Sequence, residues 1–86
     1  MAFNKTKNYQ RFYALIYTEA GNSLMPRMIG KRALLFRSKD GESARSNIEK
    51  ENKGSKVKLI CIGRDSVTPA RDADKFNIEL EFIGDV

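Results

Sequence analysis

The side chains that carry most enzymatic chemistry are scarce in this chain. It contains no histidine, which excludes every triad or dyad built on an imidazole base. Cys61 is the only cysteine, so no disulfide can form within the chain, and a lone thiol without histidine cannot complete a zinc site. Its setting, Leu59-Ile60-Cys61-Ile62, reads as a small buried hydrophobe rather than a reactive thiol. Asp65, Asp72 and Asp74 fall in one stretch, but Arg64, Arg71 and Lys75 neutralise it from within and the spacing lacks the alternate-ligand pattern of a calcium loop. Those acids read as solvated loop charge. Glu79 and Glu81 could be paired carboxylates by spacing, yet nothing supplies a substrate cleft. The glycines Gly21, Gly30 and Gly41 stand alone, outside any phosphate-cradling motif. The sequence therefore points away from an enzyme, and it implies neither metal nor cofactor.

What remains is charge and aromatic rings. The net charge is +5 over 86 residues, and it is unevenly placed. Residues 1–45 carry nine basic against three acidic side chains, a balance of +6, while residues 46–86 carry seven against eight, a balance of −1. Such asymmetry fits a polyanionic partner or an acidic protein surface. The candidates for phosphate or carboxylate contact are Arg27, Lys31, Arg32, Arg37, Lys39 and Arg45. Gly41 lies at a predicted helix start, where free N–H groups can hold an anion beside Arg37 and Lys39, but simple capping is the favoured reading. Tyr9, Arg11, Tyr13, Leu15 and Tyr17 fall on one face of the first strand. Rings on an open sheet face beside cations are the ingredients of a single-stranded nucleic-acid platform, with Tyr13 and Tyr17 as candidate stackers. The competing reading buries this face under a helix, and it is favoured because the chain has few large apolar residues to spare.

These residues need elements to position them. Residues 1–9 are polar and aperiodic and read as a flexible arm ahead of a single domain over 10–86. Residues 11–18 are rich in β-favouring types and apolar on both faces, as in a covered central strand. Glu19 to Ser23 carries turn chemistry. Pro26 and Gly30 interrupt any helix over 24–37, so the segment reads as a short extended piece at 24–29 and a second strand at 32–37. Ser38 or Asp40 caps a helix over about 41–52, with Ala44 and Ile48 on its buried side and Gly54 as its stop. Two strands follow, around 56–62 and 76–82. An antiparallel pairing would set Lys56 and Lys58 opposite Glu79 and Glu81. The 63–75 connection reads as a long loop.

The expected fold is therefore α+β: a mainly antiparallel sheet of four to five strands with one α-helix on one face, in the order β(β)βαββ. At this length there is room for one core, with a thin stability margin. The N-terminal residues lack the apolar stretch of a signal peptide, no window suits a membrane span, and a single thiol suits the reducing cytoplasm. The expected function is a non-catalytic basic module acting on nucleic acid or a nucleic-acid-handling complex through the 27–45 surface. One alternative is a small inhibitor or adaptor, of the kind phages and mobile elements produce, that docks on an acidic protein surface or blocks a nucleoprotein. Another is a subunit that self-associates through the apolar strand at 59–62, giving a homo-oligomer.

Overall fold

The computed structural model describes residues 9–86. Six elements follow one another: β1 (Gln10–Ala20), β2 (Arg27–Ser38), α1 (Gly41–Glu51), β3 (Lys56–Cys61), α2 (Thr68–Lys75) and β4 (Leu80–Asp85). They form a four-stranded mixed sheet of order β3-β1-β2-β4. β1 runs antiparallel to both β2 and β3, while β2 and β4 are parallel. The two crossovers each carry a helix, as parallel connections require.

The alternation in β1 dictates the two layers. Phe12, Ala14 and Ile16 point to one face, where they join Leu34, Phe36, Val57 and the α1 residues Ala44 and Ile48 in one cluster. Tyr13, Leu15 and Ala33 point to the other, beneath Leu35, Ile60, Ile62, Phe76, Ile78 and Leu80. β1 is thus covered on both faces, as its unbroken apolar run requires. α1 begins where expected: Asp40 caps it by accepting from the Glu42 N–H at 3.0 Å and from the Ser43 hydroxyl at 2.9 Å. The Ser43 bond, then the backbone bonds, hold the Asp40 carboxyl below its ordinary pKa.

The structure corrects several expectations. The sheet is mixed rather than mainly antiparallel, because β4 adds to β2 in parallel. β3 and β4 lie on opposite edges, so Lys56 and Lys58 do not face Glu79 and Glu81. Instead Lys56 pairs with Glu19 and Glu81 with Arg32. The 63–75 connection holds a second helix, giving the order ββαβαβ. α2 starts with Pro69 in its first turn, where the missing N–H is no loss. It closes in a Schellman motif, with Ile78 N–H bonding Ala73 O, Asn77 N–H bonding Asp74 O, and Asn77 left-handed at φ 54°. Cys61, finally, is exposed rather than buried, because β3 is an edge strand and its C-terminal end lies beyond the helix. The arm expected over 1–9 lies, apart from Tyr9, outside the described residues.

β2 is continuous from 27 to 38, with a bulge in place of the expected break. Ile16 pairs with Arg32 and Tyr17 with Gly30, leaving Lys31 as the extra residue. Gly30 is buried because the Phe76 ring lies directly on it. Beyond Tyr17 the hairpin pairs only with itself, since the β3 ladder covers 12–17 and the β4 ladder starts at Ala33. Its turn is shaped by Asn22, whose Oδ1 accepts from the N–H groups of Leu24 and Met25 at 3.0 and 2.7 Å.

Candidate functional site

The six basic residues singled out above do not share one surface. β2 runs the length of the sheet, so at about 3.3 Å per residue Arg27 and Lys39 sit roughly 40 Å apart. Arg27 is exposed near the hairpin tip and Lys31 is exposed in the bulge. Arg32 points to the α1 side, where its Nε and Nη2 donate to Glu81 at 3.1 and 2.9 Å and its Nη1 to Asn52 at 3.3 Å. The hydrogen bond lowers the Glu81 pKa and raises that of Arg32. Arg45 lies on α1 and donates to the Val57 carbonyl at 3.3 Å. Arg32 and Arg45 therefore support the packing of α1 and the sheet edge.

Tyr13 is 0 % exposed. Its hydroxyl donates to Asp72 Oδ2 on α2 at 2.9 Å, and burial, then this bond, push its pKa above the ordinary tyrosine value. A ring so enclosed cannot stack on a base. Tyr17 is half-buried and packs against the same cluster. The covering of this face by α2 explains both.

The covering stops short of the far end of that face, and a site opens there. Arg11 and Arg37 lie directly opposite each other in the β1–β2 ladder. One row in, Leu35 pairs with Tyr13 on one side and with Phe82 on the other. Phe82 is 77 % exposed, since β4 is an edge strand that α2 does not reach past Leu80. Together Arg11, Leu35, Arg37, Phe82 and Asp85 surround an open cleft of about 260 Å³. Two arginines face to face would repel each other, and the structure relieves this on each side. Arg37 donates to both oxygens of Asp85 at 2.9 and 3.3 Å, and Arg11 Nη1 turns to the Arg64 carbonyl at 3.4 Å. Lys39 lies at the same end of the sheet, its ammonium 5.5 Å above the Tyr9 ring. Among the described residues, Arg11, Lys39 and Arg64 form no salt bridge.

Of the residues predicted to bind, this end of the molecule gathers Arg37 and Lys39. It adds Arg11, Arg64 and Phe82, which the sequence reading did not select. Phe82 alternates with Glu81 in a clean strand pattern and so reads as core. Only the position of β4 at the sheet edge exposes it.

Elsewhere, the apolar strand at 59–62 offers no open face, because Leu59 packs on the α1 side and Ile60 and Ile62 on the α2 side. Among the described residues no three acids or thiols gather as metal ligands, and no helix is long and apolar enough to cross a membrane. The chain matches no protein-family model, no curated protein and no solved structure.

Proposed function

We propose that this protein is a non-catalytic module that binds nucleic acid, or a nucleic-acid-handling complex, through the basic end of its sheet. The observation that carries this reading is the placing of Arg11 opposite Arg37 in one cleft with an exposed aromatic ring, with Lys39 at the same end of the sheet and the exposed Arg64 joined to Arg11 through its carbonyl. Asp85 neutralises Arg37, so about three cations are available to phosphates. For a single strand that gives a slope of log K on log salt of about −2. Anisotropy of a labelled oligonucleotide, titrated over a range of salt, tests this. Binding at low salt that disappears when Arg11 and Lys39 are both changed to Glu supports the reading. No binding by the folded protein, or binding indifferent to that reversal, would sink it.

A second reading is favoured by the hairpin tip. Leu24 and Met25 are 89 % and 78 % exposed, held outward by the Asn22 turn, with Arg27 beside them. A tip of that kind suits an apolar pocket with an acidic rim on another protein, the adaptor or inhibitor class.

A further inference from the structure

We infer that the cleft between Arg11, Arg37 and Phe82 takes one unpaired base, so that the protein selects single strands over duplex. The inference rests on the nucleic-acid reading and deepens it.

Three features of the site converge. The first is the ring. Phe82 stands on the open side of the sheet, and the edge position of β4 explains its exposure without explaining its identity. Glu81 is committed to Arg32 and Asp85 to Arg37, whereas Phe82 sits beside Leu35 in the ladder and is mostly exposed. An edge strand usually carries charge at such a place, as β3 does with Lys56 and Lys58. The second is size. A cleft of about 260 Å³ falls below the roughly 300–1,000 Å³ that enclose a whole small ligand. It accepts one flat ring and leaves the remainder of a ligand on the surface, which is the situation of a polymer. The third is the arrangement of charge. Arg11 lies two strands from the ring on β1, and Lys39 follows Arg37 at the end of β2, so a phosphate on that side of a stacked base meets cations. Asp85 holds Arg37 on the opposite rim and keeps phosphate from settling there.

A duplex cannot use this cleft, because both faces of each internal base are already stacked. Only an unpaired base offers a face to Phe82. The cations alone would hold either form by counterion release. The ring is therefore the element that discriminates.

The test uses the full chain with a labelled pyrimidine single strand and a duplex of the same length, at one low salt concentration. Stacking on one ring predicts that Phe82→Ala weakens single-strand binding about 5- to 150-fold, leaves the salt slope unchanged, and leaves duplex binding alone. Phe82→Tyr should retain the preference. The chain has no tryptophan, so Phe82→Trp supplies a lone fluorophore that the single strand should quench and the duplex should not. If single strand and duplex bind equally and Phe82→Ala changes neither, while charge reversal of Arg11 and Lys39 abolishes both, the stacking inference is overturned and the nucleic-acid reading survives. If that charge reversal also has no effect, both fall.

Discussion

Replacing Gly30 with alanine should destabilise the protein even though alanine is the better strand residue. A Cβ at position 30 would lie 2.6 Å from Phe76 Cγ, 2.7 Å from Cδ2 and 2.9 Å from Cβ. The ring could swing away, but its Cβ cannot, because the Phe76 N–H is tied to Asp72 O at 3.0 Å and the Schellman turn follows at once. Either α2 lifts off the sheet or β2 bends at its bulge. Overpacking of this kind costs about 1–3 kcal/mol, and the lower entropy of the unfolded alanine chain returns roughly 0.4–1. The net is a loss of about 1–2 kcal/mol, which in a domain this size lowers Tm by roughly 5–15 °C. Thermal and urea unfolding followed by circular dichroism would measure it. In a Phe76→Gly background, which removes the Cβ along with the ring, the same substitution should cost distinctly less, since the two residues are in contact. Wild-type stability for Gly30→Ala, or an unchanged cost without the Phe76 side chain, would refute the placement of α2 on the hairpin.

Other substitutions probe the two sides of the sheet. Tyr13→Phe removes a buried bond to a carboxylate and should cost about 1–2 kcal/mol in urea unfolding. Because folding raises the Tyr13 pKa, its proton stabilises the folded state in full below about pH 10 and that contribution is lost as pH rises further, so the gap between wild type and Tyr13→Phe should narrow above pH 10. Asp85→Asn frees Arg37 and should tighten oligonucleotide binding and steepen the salt slope by about 0.7, whereas Glu49→Gln on exposed α1 should do neither. Serine at Leu24 and Met25 should leave unfolding within about 0.5 kcal/mol of wild type and leave oligonucleotide affinity unchanged. A loss of affinity there would favour the hairpin tip as the working surface.

The elements whose signals are local were legible in the sequence. β1 showed its double burial in the Phe12–Tyr17 run, and α1 showed its cap at Asp40 and its buried Ala44 and Ile48, although it ends at the C-cap Asn52, ahead of the Gly54 expected to stop it. What depended on non-local pairing was hidden. Nothing in Val57–Ile62 or Ile78–Phe82 tells whether the strands pair with each other or with β1 and β2, and alternation alone suits either. α2 was missed because Thr68 to Lys75 has almost no apolar face beyond Pro69 and Ala73, although Pro69 and Asn77 mark its two ends. The site suffered from the same cause. The basic run from 27 to 45 is contiguous in sequence, yet a strand turns alternate residues to opposite faces and separates its ends. Arg11 and Phe82 join Arg37 only through the ladders.

The most direct test of the proposed interface is the ¹⁵N–¹H spectrum of the protein titrated with a short single-stranded oligonucleotide. Shifts should concentrate at Arg11, Leu35, Arg37, Lys39, Arg64 and Phe82 and leave residues 22–28 unmoved. Shifts confined to the hairpin tip, or none at concentrations well above those of the anisotropy titration, would contradict it.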